Sequence, residues 1–224
     1  MRCEHNNCGN KVNISVMLFK GNTVYLRLVE PEDFETTHRW RVNYEMQKMT
    51  CGPIRFISKE MEKNWTQSKS LSNINETYLA ICLIENDKMI GWISINDIDH
   101  RNQKCKCGGI VIGDKQYQDG MAAFEAGRLM LSYVFDELNM NMVRGACLKE
   151  HLFSRANMEA KFYVLEGIER EAIFKGGKFH DVLHFALSRK DYYMHRQNNE
   201  YEDSSVIKRF IKRMKEIKKE LETM

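Results

Sequence analysis

The sequence predicts an α/β fold of the α+β type: a single mixed, mostly antiparallel central sheet with helices on both faces, followed by a C-terminal amphipathic helix. Three observations predict it. Period-two apolar segments alternate with segments of helical period along the chain. Two strand pairs are joined by tight-turn signals, at Asn86-Asp87-Lys88 and at Gly176-Gly177, which mark antiparallel neighbours. One short apolar strand, Ile110 to Gly113, instead feeds a long helix before the chain returns as a strand, so the sheet is mixed.

The elements follow in order. Val24-Tyr25-Leu26-Arg27-Leu28 alternates as a strand, and Pro31-Glu32 opens a helix because proline suits a first turn. That helix carries His38, Trp40, Arg41 and Asn43. Gly52-Pro53 breaks the chain, and Ser58 with Glu60 and Glu62 starts a second helix through Trp65. Tyr78 to Ile84 and Met89 to Asn96 form a hairpin, with a further partner at about Cys105 to Gly113. Beyond Asp114 to Gly120, a long helix turns Ala122, Ala126, Leu129, Met130, Tyr133, Val134 and Leu138 toward the core and ends at Asn141. A strand (Met142 to Leu148), a helix (about Leu152 to Phe162) and a hairpin (Val164 to Phe174 with Phe179 to Leu187) complete the domain. The order is β-α-α-β-β-β-α-β-α-β-β, with no internal repeat.

The 224 residues suit one large domain or one domain with appendages. We divide them into a polar N-terminal extension (1–21), a folded domain (22–191) and a linker with a basic amphipathic helix (192–224). Cys3, His5 and Cys8 in the extension fit no common zinc spacing, so no metal is expected and a loosely ordered extension is the better reading. With 29% charged and 10% aromatic residues the chain is neither disordered nor of low complexity. No run reaches the roughly 18 apolar residues of a spanning helix, and Arg2 precedes no apolar stretch, so neither a transmembrane segment nor a secretory signal is expected. Seven irregularly spaced cysteines favour reduced thiols and a cytoplasmic location.

The net charge of +3 is lopsided. Between Val206 and Lys219 seven basic residues and one acid give +6, which leaves −3 for the rest. Nucleic acid is therefore not the expected partner of the domain. Ile207, Phe210, Met214, Ile217, Leu221 and Met224 follow a 3-4-3-4-3 spacing, a heptad seam that wants a partner helix or groove. The seam docks on the core or on a second subunit, as a homodimer. An acidic membrane surface or RNA is the sharper alternative.

This order of elements resembles the GNAT superfamily of acyl-CoA-dependent N-acyltransferases, over roughly Asn22 to Asp191. It looks most like the branch of ribosomal-protein N-terminal and nucleotide-amino-sugar acetyltransferases. Arg27 to Glu32-Asp33, Trp40-Arg41-Val42-Asn43, Ile112-Gly113-Asp114-Lys115-Gln116-Tyr117, the helix end at Tyr133, Phe135, Leu138 and Asn141, and Glu166-Gly167-Ile168-Glu169-Arg170-Glu171 with Gly177 to Asp181 carry the resemblance. It implies an enzyme that transfers an acetyl group from acetyl-CoA to a primary amine by direct attack. Ile110, Val111 and Ile112 would hold the extended cofactor. Gln118, Asp119, Gly120, Met121, Ala122 and Ala123 would hold its pyrophosphate, because free N–H groups and the dipole at a helix start attract anions. An ordinary strand–turn–helix connection is the competing reading of that loop.

The sequence departs from the family at four places. Met121 replaces the central glycine of the loop, with Asp119 adding a negative charge. Cys107 stands where a carboxylate is common, and His151 where asparagine opens a helix. The segment before the Glu166-Gly167 pair reads Lys161-Phe162-Tyr163 in place of Leu-Gly-Phe.

Acyl transfer needs a base for the amine and a proton donor for the departing thiolate. Ser154, which matches the family's helix-start serine, is the first donor candidate, and an N-cap serine its plain alternative. Tyr163 is the second, against a packed core aromatic. Asp99, with Asp97 and His100, is the base candidate, against an ordinary polar loop. The acceptor is expected over the first two helices, among Trp40, Arg41, Asn43 and Trp65, with Arg41 pairing with its phosphate or carboxylate, and the resemblance adds Asp181. Helix packing for Trp40 and a hairpin tie for Asp181 compete with those roles. The acceptor would be a small molecule, an amino sugar or a peptide N-terminus. A non-catalytic acyl-CoA-binding scaffold is the alternative function.

Overall fold

The computed structural model describes residues 19–71 and 75–222. Cys3, His5, Cys8 and Met224 lie outside the described residues. The element order is β1 (Val24–Leu28), a 3₁₀ turn (Pro31–Asp33), α1 (Phe34–Arg41), α2 (Tyr44–Lys48), α3 (Lys59–Leu71), β2 (Thr77–Leu83), β3 (Met89–Asp99) and β4 (Lys104–Ile112). A second 3₁₀ turn (Lys115–Tyr117) leads to α4 (Met121–Ser132), β5 (Met142–Leu148), α5 (Leu152–Ala160), β6 (Val164–Lys175), β7 (Lys178–Ser188), α6 (Arg189–Gln197) and α7 (Asp203–Glu222).

Among the described residues the strands form one seven-stranded sheet in the order β1-β2-β3-β4-β5-β7-β6. Every neighbouring pair is antiparallel except β4 and β5. The expected mixed sheet with helices on both faces is what forms. The period of two shows why: Val24 and Leu26, Leu79, Ile81 and Leu83, and Ile93 and Ile95 face one cluster under α4. Tyr25, Ala80 and Cys82 face the other, under Trp40 of α1.

Three expectations are corrected. The proline opening gives one 3₁₀ turn before α1 begins, its Arg27 held by Asp33 through two hydrogen bonds at 2.7 and 2.8 Å. The helix expected to run to Asn141 stops being α-helical at Ser132 and continues as a π-turn over Tyr133–Glu137, with the Leu138 N–H reaching back to the Tyr133 carbonyl at 2.9 Å. Two helices, α2 and α6, were not anticipated. Asn43 caps α2 by accepting from the N–H groups of Glu45 and Met46, and Ser188 caps α6 by accepting from Asp191.

The seam of α7 is filled within the chain. Val206, Phe210 and Ile217 are buried with Phe124, Ala156 and Ala160, and Ile207, Met214 and Leu221 pack against the same cluster. Phe210 meets Phe124 and Phe153 edge-on at 4.8 and 5.0 Å. Of the two docking expectations for this helix, the structure realises the one on its own core.

Candidate active site

The site begins where β4 leaves β5. Their parallel ladder runs only from Lys104–Met142 to Lys106–Arg144. Beyond it β5 stays in the sheet, pairing with β7 as far as Leu148–Val182. β4 bulges between Cys107 and Ile110, where its pairing with β3 shifts register. Glycine is required there: a side chain at Gly108 would collide with Ser94 and Asn96, and Gly109 has φ +105°. From Cys107 to Ile112 the edge of β4 that faces β5 therefore has no ladder partner.

A cleft of about 710 Å³ opens onto this edge. Ile110, Val111 and Ile112 line it, as do Gln118, Gly120 and Ala123 at the start of α4. Gly120 is the N-cap with φ +99° and offers no side-chain cap. The first helical bond joins the Phe124 N–H to the Gly120 carbonyl at 2.9 Å, so the N–H groups of Ala122 and Ala123 have no acceptor within the helix. Lys115 stands on the same wall. An anion held by backbone donors fits this position.

The loop meets its departures from the family pattern by internal bonding. The carboxylate of Asp119, which would repel a phosphate, accepts from the Met121 N–H at 2.9 Å. Gln118 donates to the Ile112 carbonyl at 2.7 Å and ties the loop to the end of β4. Met121 is exposed, and Ala122 is buried against the sheet. Asp119, Met121 and Ala122 thus shape the turn without lining the cleft.

Across the cleft stand Trp40, Arg41 and Asn43. The Trp40 ring lies on Gly113, where any β-carbon would collide with it, and stacks on Trp92 at 5.8 Å. Arg41 was expected to pair with an acceptor. Its Nη1 instead donates to Glu62 at 2.9 Å, and its guanidinium covers the Trp65 ring at 4.2 Å. Glu62 is fully buried, so most of the charge of Arg41 is already answered inside the protein. Asn43 lines the cleft while capping α2.

Behind the cleft lies a second cavity of about 70 Å³, bounded by Cys107, Gly109, Asn157, Lys161 and Tyr163 among others. Ile110, Phe153 and Ser154 border both spaces. His151 caps α5, its Nδ1 accepting from the Ser154 N–H at 3.3 Å. Burial holds its ring below the ordinary histidine value, so it stays neutral with the proton assigned to Nε2. Burial also holds the Tyr163 phenol well above its ordinary value and raises the Cys107 thiol.

Two predicted residues sit elsewhere. Asp99 closes the β3–β4 turn, accepting from the Asn102 backbone and side chain at 2.9 and 2.7 Å, which lowers its carboxyl. Asp181 accepts from the Glu171 N–H at 3.0 Å and pairs with Lys149 at 3.3 Å on the β6–β7 hairpin. Neither borders the cleft or the cavity. The residue that sequence reasoning passed over is Lys161. Its signal was visible: with Phe153 and Asn157 it recurs every four residues along the face of α5 that turns inward.

Residues 23–160 match the acetyltransferase (GNAT) domain family. Among curated relatives, a putative ribosomal N-acetyltransferase, YdaF of Bacillus subtilis, is 26% identical over 110 residues, 49% of this chain and 59% of that protein. A probable N-acetyltransferase of the same organism, YjcK, is 24% identical over 78% of this chain and 98% of its own length. Among solved structures, spermidine N-acetyltransferase from Vibrio cholerae, in complex with CoA and spermine, superposes with a TM-score of 0.69 at 19% identity, covering 76% of this chain and 98% of that one. With the family model matched over more than half of its length, the chain belongs to the acetyltransferase (GNAT) domain family.

Proposed function

We propose that the protein transfers an acetyl group from acetyl-CoA to a primary amine by direct attack. The observation that carries this reading is the unpaired edge of β4 leading to the free N–H groups at the start of α4. The edge offers an extended cofactor the hydrogen bonds of a missing strand, and the helix start offers its pyrophosphate an anion site. Gln118, Gly120 and Ala123 form the pyrophosphate turn, with Asp119, Met121 and Ala122 fixing its shape. Ile110, Val111 and Ile112 hold the arm. Acetyl-CoA supplies an activated thioester when bound.

The protein's own residues then orient the reactants and manage protons. A backbone N–H on the unpaired edge of β4 near Gly109 to Val111 would donate to the thioester oxygen as charge grows there. Ser154, at the junction of cleft and cavity, is the hydroxyl nearest that chemistry, with Tyr163 deeper. Asp99, bound up in its turn, receives no support as the base, nor does Asp181 as an acceptor contact. Trp40, Arg41 and Asn43 form the acceptor wall.

The charges on that wall narrow the acceptor. Arg55 and Lys115 line the cleft against one carboxylate, Glu45, while Arg41 is already paired with Glu62. A polyamine carries several positive charges and is poorly matched. A neutral or anionic amine, such as an amino sugar, a small amino compound or a peptide N-terminus, is the acceptor class we assign. No partner is assigned to α7, whose seam is filled. The five described cysteines are free thiols, in keeping with a reducing, cytoplasmic setting. Among the described residues no helix is long and apolar enough to cross a membrane.

The test is acetyl-CoA titration followed by thiol release across an amine panel. Saturable binding and acceptor-dependent release support the reading. Binding without release favours a scaffold that keeps the fold.

A further inference from the structure

Lys161, at the C-terminal end of α5, is 4% exposed, and its side chain enters the cavity behind the cleft. A methyl group on Gly127 of α4 would collide with its Nζ and touch Ile110 Cδ1 at 3.1 Å. The amine therefore lies between α4 and the unpaired part of β4. Its Nζ faces the Phe124 ring at 5.7 Å and the Cys107 thiol, and among the described residues no carboxylate pairs with it. One turn earlier, Asn157 Oδ1 borders the same cavity, buried and without a hydrogen-bond partner among the described residues.

Packing alone gives no reason for this pair. Gly109, Ile110, Met130 and Leu131 line the space beside the Ser154 and Tyr163 hydroxyls and the Cys107 thiol, and a leucine in place of the lysine would fill it without burying a charge. A buried ammonium with no counter-charge is costly unless negative charge arrives. The cavity joins the cleft at Ile110 and Ser154, where the thioester is to be held.

Resting on the acetyl-transfer reading above, we propose that Lys161 is the proton donor to the departing coenzyme A thiolate. The acceptor nitrogen bonds to the acetyl carbon. The carbon–sulfur bond breaks with its electron pair passing to sulfur. Lys161 gives sulfur a proton, forming a neutral thiol, and the neutral lysine takes the proton that the acceptor nitrogen sheds. Every atom and charge is then accounted for and the lysine is restored.

The electrostatics suit that role. Burial brings the amine from its ordinary 10.5 down to about 8, close to a free thiol at roughly 8.5, so transfer is nearly balanced. The Tyr163 phenol, held far above its ordinary value, is the weaker acid at neutral pH. The titratable and charged groups around Lys161 are few. Cys107 faces it from β4 and Tyr163 from the start of β6. Tyr201 donates to the Lys161 carbonyl, and Arg209 of α7 to the carbonyl of Ala160.

The test uses the full chain and has three readings. In the wild-type protein without cofactor, NMR titration of isotope-labelled lysine should find one amine with a midpoint near 8 that moves when coenzyme A is added. In Lys161→Met, which is apolar and of similar length, calorimetry should find acetyl-CoA affinity within about threefold of wild type. The kcat of that variant should fall by about a hundredfold and its pH profile should lose the descending limb near 8. The proposal is overturned if Lys161 titrates above 10. It is also overturned if the variant keeps its kcat and pH limb, or if it only changes preference toward acyl groups bearing a carboxylate. A wild-type protein that binds no acetyl-CoA removes the acetyl-transfer reading and the proposal together. Normal binding and turnover in the Met variant removes the proposal alone.

Discussion

Arg41 and Glu62 form an ion pair at 2.9 Å in which the carboxylate is wholly buried and the guanidinium sits over the Trp65 ring at 4.2 Å. The pair locks α1 to α3 and so fixes the wall of the cleft that carries Trp40. Arg41→Ala leaves Glu62 buried with no cation. We expect a loss of about 3 kcal/mol in urea unfolding, largely recovered when Glu62 is also made Leu. A loss below about 1 kcal/mol would mean that water reaches the pair.

Gly113 is the contact point between β4's end and that wall. A β-carbon there would enter the Trp40 ring. Gly113→Ala should destabilise by about 1–3 kcal/mol and change the fluorescence of the Trp40–Trp92 stack. An unaltered emission spectrum and melting point would show that Trp40 yields freely.

Gly120 holds φ +99° at the start of α4. Alanine there should cost about 1 kcal/mol or more in strain, with the larger effect on the cofactor. Acetyl-CoA affinity should weaken at least about tenfold because the N–H groups of the turn are re-aimed. Met121→Gly, by contrast, changes an exposed side chain and should leave affinity nearly unchanged. The reverse order, measured by calorimetry, would show that the cofactor needs space at Met121 instead.

Lys161 also makes stability depend on pH. Its amine is near 8 when folded and near 10.5 when unfolded, so between those values the unfolded chain holds the extra proton. Stability from this group therefore rises with pH from about 8 to 10.5, and below 8 the full penalty of burying the charge applies. At 1.36 kcal/mol per unit that penalty is about 3 kcal/mol. Lys161→Met should accordingly be the more stable protein at pH 7, by up to that amount, with the advantage gone near pH 10.5. Denaturant midpoints of both proteins across that range give the answer, and an advantage independent of pH would contradict the buried charge.

The parts of this molecule that were legible in its sequence are those written locally. β1, β2 and β3 alternate cleanly because one face meets Trp40 and the other meets α4. α4 repeats apolar residues at helical period, and Gly176-Gly177 marks a hairpin. α2 is only five residues long, too short for any period to register, and the π-turn after Ser132 changes hydrogen bonding without changing which residues face inward. The site was legible in its backbone, from Ile110 to Ala123. It was obscure in its side chains, because which groups they bond is set by turns and packing that no apolar period records. Arg41 looks free until Glu62, 21 residues later, folds onto it. Asp181 and Asp99 looked available until backbone N–H groups claimed them. Lys161 stood out only as the first residue of Lys161-Phe162-Tyr163, and the meeting of α4, α5 and β4 puts it inside.

The central claim is that the split between β4 and β5 and the start of α4 together receive acetyl-CoA. Calorimetric titration of the purified chain with acetyl-CoA tests it most directly. One site per chain is expected, with a dissociation constant between about 1 µM and a few hundred µM, weakened in Gly120→Ala. Absence of binding heat up to high micromolar acetyl-CoA, or binding that Gly120→Ala leaves untouched, would contradict it.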